Sequence, residues 1–437
     1  MNQSYRYSAV LSTAVRASSL CVSTLVAIFL ARIMGPENYG KYTFYISVIL
    51  SLAIASQFGL HRLGVRVVAE NVQRGEYSMI NGYFLFALVI GVFLSLGTSS
   101  IFFIFDYSYS LIDRANLYGY LTVLFTVTAV VLTAILDAVI QGSRKVILGQ
   151  VSVALIRPLV LISVAVFLAW PPNLVQLSSA DAILAFLCAA FVSLCFSLTV
   201  TLTIILKNIF TNSSFIADTS RWVGACIPLA FTSVLAQINS VADVFSLSIF
   251  QTDEAVGIYR SAFQIANLIV IVQQALAIMA GPHIARLYAA SSLLELENLV
   301  RFCTKIAAAA GLIVTLGTLL AGRSLVVLIF GDAYSDAALP LFILSIGFLG
   351  SSVFGVVGVV LNMTGNERKV AFAMTVSALA NVVLNLALVP AFGVVGAAVA
   401  TTVSLLLWNS LMWISVRTTL DIESVPLLGS RQLRLSE

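Results

Sequence analysis

The chain has 437 residues, of which 60% are hydrophobic and only 10% charged, with a formal net charge of +4. So much apolar surface cannot be hidden in one soluble core, which excludes a soluble globular chain and implies a membrane protein. The slight positive excess lies in connections between apolar stretches, so it reads as an orientation signal and implies no nucleic-acid partner.

A spanning helix needs about 20 mostly apolar residues. Twelve such stretches are bounded by charge or turn residues, near 9–31, 42–60, 81–105, 117–141, 147–170, 180–206, 222–250, 258–282, 303–322, 339–362, 370–390 and 393–416. Strands of alternating polarity are absent from the sequence pattern, so helices must satisfy the backbone and the expected class is all-α. The first stretch is too long for a signal peptide, is interrupted by Arg16 and precedes no soluble domain, so it reads as a retained span.

Charges inside spans are expensive, and four need explanation: Arg16, Asp137, Arg157 and Asp243. Arg16 shares a helical face with Ser12, Ser19 and Ser23, a stripe suited either to a wet lumen, where the guanidinium holds a pyrophosphate, or to snorkelling toward the cytoplasmic surface. The segment ARIMGPENYGKY (31–42) follows, polar and turn-like between two apolar runs.

Asp137 lies about one turn from the end of span 4, and Arg157, followed by Pro158, is near the middle of span 5. A structural ion pair and a substrate or proton site are both open readings. Pro158 alone reads as a kink, and Pro171-Pro172 as a breaker between spans.

Span 7 carries Asn239, Asp243 and Ser246 on one face, with Ser233, Gln237 and Ser240 adjoining, and span 8 opens with Arg260, Gln264, Asn267 and Gln274. Two such stripes either face a cavity or join helices by hydrogen bonds. On span 11, Ser377, Asn381 and Asn385 read as interhelical glue. His61 and His283 read as interfacial, and the five cysteines, lacking CxxC spacing, as small apolar fillers.

Sixteen of the 23 Lys and Arg fall on the N-terminal side of the spans, five on the opposite side and two within them, which places both termini in the cytoplasm. No connection is long enough for an attached catalytic domain. HExxH, GxSxG, GxxxxGK[ST] and metal-ligand spacings are all missing, so a carrier is expected, with no metal and no cofactor, and a polytopic polymerase or ligase acting on lipid-linked sugar is the lesser alternative.

The chain also repeats itself. Glu37, Gly40 and Tyr42 match Glu254, Gly257 and Tyr259; Gly59 and His61 match Gly281 and His283; Arg144-Lys145-Val146 matches Arg368-Lys369-Val370, at offsets that drift from 217 to 224. Two parallel six-helix repeats around a central cavity are therefore expected: an N-terminal half at 1–206, a cytoplasmic linker at 207–221, a C-terminal half at 222–416 and a tail at 417–437.

ARIMGPENYGKY, with FGDAYSDA (330–337), LNMTGNERKV (361–370) and LNLALVPAFGVVGAAVATT (384–402), resembles the motifs of Wzx-type polysaccharide repeat-unit flippases of the multidrug, oligosaccharidyl-lipid and polysaccharide exporter superfamily. The resemblance implies a flippase of the bacterial cytoplasmic (inner) membrane that carries undecaprenyl-pyrophosphate-linked oligosaccharide to the outer leaflet for polysaccharide synthesis (O-antigen, capsule or exopolysaccharide). It also implies a proton or sodium gradient as driving force, and a polymerase and chain-length regulator as partners beside the lipid-linked oligosaccharide and the bilayer. A multidrug or peptidoglycan-precursor exporter of the same superfamily is the alternative. On this reading Arg16, Arg157, Gln237, Asn239, Arg260, Gln264 and Asn267 are the substrate-binding candidates, and Asp137 and Asp243 the ion-coupling ones. The Gly and Ala of PAFGVVGAAVA also allow close helix approach.

Overall fold

The computed structural model describes residues 3–109, 117–169, 177–205, 216 and 218–425, with side chains described from Ser18 onward except at 20, 105–109, 117–118 and 204–205. Every regular element in these residues is helical. The chain forms α1 (Gln3–Gln57), α2 (Leu60–Arg74), α3 (Tyr77–Tyr109), α4 (Leu117–Gly142), α5 (Leu148–Val151), a π turn (Ser152–Ile156), α6 (Arg157–Leu168), α7 (Ser179–Val200) and a second π turn (Thr201–Ile205). It continues with α8 (Thr219–Phe250), α9 (Asp253–Ala266), α10 (Leu268–Ala289), α11 (Leu293–Phe330), a 3-10 turn (Asp332–Ala337), α12 (Ala338–Phe354), α13 (Val357–Met363) and α14 (Glu367–Leu420).

Among the described residues nine helices are long and apolar enough to cross a membrane, or ten when the bent pair α1 and α2 counts as one. Two of the helices are too long for one crossing. At about 1.5 Å per residue, α1 and α14 would each run about 80 Å against a hydrocarbon core of about 30 Å. Each is divided by a non-helical glycine, Gly35 (φ 72°) in α1 and Gly393 (φ 53°) in α14, which separates the expected spans 1 and 2, and 11 and 12. The chain is a polytopic, all-α membrane protein of roughly 12 helices.

Most hydroxyls within the apolar helices bond their own preceding turn. Ser163 donates to the Leu159 carbonyl at 2.8 Å and Ser404 to that of Ala400 at 2.7 Å, as a medium without water requires. The start of α7 is a capping box: Ser178 Oγ accepts from the Asp181 amide and Asp181 Oδ2 from the Ser178 amide, each at 3.2 Å.

By packing, the chain forms two compact units, residues 1–34 with 44–237, and residues 35–43 with 238–437. In the first unit α2 lies with Leu63, Val67 and Val68 buried and Arg62, Arg66 and Arg74 exposed, Val68 joining Ile80, Val139, Ile140 and Val200 in one apolar cluster. In the second, Leu296, Val300, Val357, Val360, Leu361, Val416 and Ile422 form another. There, residues 421–425 fold back after α14: Trp413 Nε1 donates to Glu423 Oε1 at 2.7 Å and Arg301 Nε to the Glu423 carbonyl at 3.0 Å.

The segment ARIMGPENYGKY is helical apart from Gly35, where a turn was expected. Pro36 opens the helix after the break, and Lys41 pairs with Glu37 one turn away at 2.8 Å. The physical reason is tertiary. Residues 35–43 pack in the second unit, where Gly40 lies on Asp253 and Gly257 on Pro36. A Cβ on Gly40 would stand 1.7 Å from the Asp253 carbonyl oxygen, and one on Gly257 2.0 Å from that of Pro36. The two copies of the repeated motif touch each other through their glycines. Span 8, expected to be continuous, is interrupted at Asn267 between α9 and α10.

Candidate functional site

In the first unit the chemistry gathers on Asp137, one turn before the end of α4 and 2% exposed. Its two carboxylate oxygens accept from two hydroxyls on neighbouring helices, Oδ2 from Ser152 Oγ at 2.5 Å and Oδ1 from Ser197 Oγ at 2.7 Å. Close backbone approach makes this possible: a Cβ on Gly149 would lie 2.8 Å from the Asp137 carbonyl oxygen, and Gln141 Nε2 donates to the Gly149 carbonyl at 2.9 Å.

Both serines adjoin irregular helix. Ser152 opens the first π turn, and Ser197 lies one turn before the second. Inserted π turns occur frequently at functional sites, and they rotate the following residues out of ordinary helical phase. The residue that follows the first one is Arg157, whose amide donates back to the Ser152 carbonyl. Its Nε and Nη2 are buried without a hydrogen-bond partner, and its guanidinium lies 6.0 Å from the Phe186 ring centre. Arg157 attracts Asp137 through space but forms no ion pair with it within 4 Å. The site thus joins a carboxylate held by two rotatable hydroxyls to a cation with donors to spare.

In the second unit Asp243, on α8, is 3% exposed. Oδ1 accepts from the Val244 amide at 2.8 Å, and the Tyr259 hydroxyl bonds the carboxylate. Tyr259 Oη also lies 3.0 Å from Thr401 Oγ1; with its one proton directed at the charged carboxylate, it accepts from Thr401. Arg260 exerts its charge on Asp243, Tyr259 and Tyr39, and stands 5.5 Å over Phe263. The carboxylate thus has a backbone amide and a tyrosine hydroxyl as donors, with the charge of Arg260 nearby.

The other candidates separate. Gln237 Nε2 donates to Ser51 Oγ at 3.1 Å within the first unit, and Asn239 Nδ2 to the Met374 carbonyl at 3.4 Å within the second. Ser246 is buried beside Asp243, so that face of α8 packs inside its unit, whereas Ser240 is exposed. Gln264 and Asn267 are half-buried around the break between α9 and α10. The Arg16 side chain lies outside the described residues, as do Pro171-Pro172 and most of the 207–221 linker. His61 Nδ1 bonds the Ala134 carbonyl at 2.8 Å, and His283 is exposed. Ser377, Asn381 and Asn385 are buried, Ser377 donating to the Ser404 carbonyl at 3.0 Å. All five cysteines are free thiols.

Sequence reasoning missed Ser152, Ser197, Tyr259 and Thr401. Tyr259 stood inside the repeated motif and was the one signal available; serines and threonines are too common in these spans to mark a site.

The comparisons agree with this architecture. The family profile for polysaccharide biosynthesis proteins matches residues 8–287, and that for MatE matches residues 228–387. The probable low-salt glycan biosynthesis flippase Agl15 of Haloferax volcanii is 25% identical over 379 residues, covering 86% of this chain and 76% of that protein. Among solved structures, the inward-facing conformation of a multidrug resistance MATE family transporter of the MOP superfamily aligns with a TM-score of 0.72 at 14% identity, over 92% of this chain and 94% of that one. The lipid II flippase MurJ in its inward closed conformation aligns at 0.69 and 12%, over 91% and 86%. These relatives are flippases and transporters, not enzymes. With a profile spanning well over half its length, the chain belongs to the polysaccharide biosynthesis protein family.

Proposed function

We propose that this protein is a flippase that carries an undecaprenyl-pyrophosphate-linked oligosaccharide from the cytoplasmic to the outer leaflet of the inner membrane, by alternating access coupled to an ion at Asp137. The observation that carries this reading is the buried Asp137 with its two serine hydroxyls, beside an Arg157 with two unpartnered donor nitrogens. A hydroxyl rotates freely, so Ser152 and Ser197 donate to the carboxylate when it is charged and one of them accepts when it is protonated. Loss of the Asp137 charge releases Arg157 from its attraction and leaves the guanidinium for a phosphate, which it grips bidentately. Arg16 and Gln237 in the first unit, and Asn239, Gln264 and Asn267 in the second, are kept as proposed substrate contacts of their own units, whereas Arg260 and Asp243, with its fixed donors, are assigned to holding α8 and α9 together.

Both termini are cytoplasmic on this reading, which sets α2 at the inner rim. There the hydrogen bond from Arg66, with the added fields of Arg74 and Arg221, holds the Glu70 carboxyl below the ordinary carboxylate range. A rim of that sign attracts an anionic headgroup. The inside-negative potential then favours outward passage by about 2.3 kcal/mol per charge per 100 mV. The product feeds a polymerase and its chain-length regulator.

The test is flipping of fluorescent lipid-linked oligosaccharide in proteoliposomes. The protein is expected to move the pyrophosphate-linked sugar and to leave the bare polyprenyl phosphate and cationic drugs in place. Drug transport without sugar-lipid transport contradicts the assignment.

A further inference from the structure

Two sequence motifs remain without a role after the site is assigned, FGDAYSDA and the PAFGVVG stretch, and in the second unit they form walls of one groove. It has a volume of ≈ 720 Å³ and is lined by Glu254, Arg323, Ser335, Asp336, Leu339 and Phe392, among others. Each wall is an interruption of helix. Glu254 stands in the first turn of α9, just after the Thr252 cap; Arg323 follows the break in α11 at Ala321 (φ −134°); Ser335 and Asp336 belong to the 3-10 turn after Gly331 (φ 105°); and Phe392 precedes the break at Gly393. These interruptions are where spans end and connections begin, so the groove opens at one face of the membrane, where charged side chains meet water.

The lining has a definite chemistry. Glu254, Arg323 and Asp336 are exposed, and none of them forms an ion pair within 4 Å, although opposite charges share the groove. Held apart, they offer separate acceptors and a separate fork of donors. Phe392, 62% exposed, presents a ring beside them. Carboxylates that accept from vicinal hydroxyls, a guanidinium that donates to ring and hydroxyl oxygens, and an aromatic face against axial C–H groups are together complementary to a sugar. A lipid tail would leave all three charges without partners, and an inorganic anion would meet two carboxylates.

We propose that this groove is a glycan-binding subsite, which takes the sugar portion of the flipped substrate at the extracytoplasmic end of the second unit, with Phe392 as stacking platform and Asp336, Glu254 and Arg323 as hydroxyl contacts. The inference rests on the carrier reading and on the topology given above, and it deepens them by placing part of the substrate outside the ion-coupling site.

Saturation-transfer difference NMR on the full-length protein in lipid nanodiscs tests it, with free di- to pentasaccharides containing glucose, galactose and N-acetylglucosamine as probes. The expected result is transfer to sugar ring protons that falls at least fivefold in Phe392→Ala and in Asp336→Asn, and is unchanged in Phe372→Ala, whose side chain is equally exposed on α14 away from the groove. Asp336→Asn, a surface change, keeps the test decisive where Phe392→Ala fails to fold. Absence of transfer to every oligosaccharide, transfer unaffected by both groove variants, or transfer to glycerol 1-phosphate alone, as a lipid headgroup site would give, overturns the proposal. Flipping measured on the same preparation separates the two readings: flipping without oligosaccharide binding removes the groove alone, and binding without flipping removes the carrier assignment while supporting the groove.

Discussion

Asp137 and Asp243 are buried to nearly the same degree, 2% and 3% exposed, on helices that do not correspond under the internal repeat. Their surroundings differ in kind. Around Asp243 the donors are a backbone amide and a tyrosine hydroxyl, whose single proton serves the charged carboxylate while it accepts from Thr401, with the charge of Arg260 nearby. Around Asp137 the direct donors are two serine hydroxyls that turn about one bond, and the nearby arginine is left with unused nitrogens. A carboxylate among fixed donors is stabilised in one charge state; one among rotors tolerates both. On the proposed reading, equal burial therefore carries opposite meanings, a structural clasp in one unit and an exchanging site in the other.

The largest effect expected of this contrast comes from Gly257→Val. Its side chain would collide with the Pro36 carbonyl and displace α9, which carries Tyr259 and Arg260. Folded yield should collapse, or the melting temperature fall by more than about 10 °C, consistent with the several kcal/mol that overpacking against backbone costs. A stable, fully active Gly257→Val protein would mean the clasp does not depend on this contact. Next, Asp243→Ala strands Tyr259 and Arg260 and should cost about 3 kcal/mol, as broken buried charge networks do, with transport by the surviving folded fraction largely retained. Unchanged stability with abolished transport would turn the contrast around.

Arg157→Lys keeps the charge but not the planar fork, and should lower flipping at least tenfold with a melting temperature within about 2 °C of the parent. Full activity in that variant would remove the guanidinium's assigned grip on phosphate. The smallest effects belong to Ser152→Ala and Ser197→Ala. Each removes one hydrogen bond to a charged group, worth about 1.5–3 kcal/mol at most, and should move the pH optimum of flipping while leaving its maximum within about fivefold. A lowered maximum at an unmoved optimum would assign both serines to packing.

Much of this was legible before any coordinates. Asp137, Arg157 and Asp243 stood out because a charge inside an apolar span demands a reason, and their elements fall where apolar length places them. Their partners did not stand out, since most hydroxyls in these helices bond their own preceding turn, as Ser163 does, and nothing local distinguishes the few that cross to a neighbour. The sequence left an ion pair between Arg157 and Asp137 open, and none forms within 4 Å, because the π turn at 152–156 changes the helical phase that residue counting assumes constant. The helical form of 36–43 was hidden for another reason: Gly, Pro and Asn there are turn formers in isolation, and the neighbour that overrides them lies more than 200 residues away.

The decisive measurement is the dependence of lipid-linked oligosaccharide flipping on imposed proton and sodium gradients in proteoliposomes, for the parent protein, Asp137→Asn and Asp243→Asn side by side. The account predicts that the parent and Asp243→Asn respond to a gradient by the same factor, and that Asp137→Asn flips at a slow rate no gradient changes. Gradient stimulation that survives in Asp137→Asn and vanishes in Asp243→Asn would contradict it.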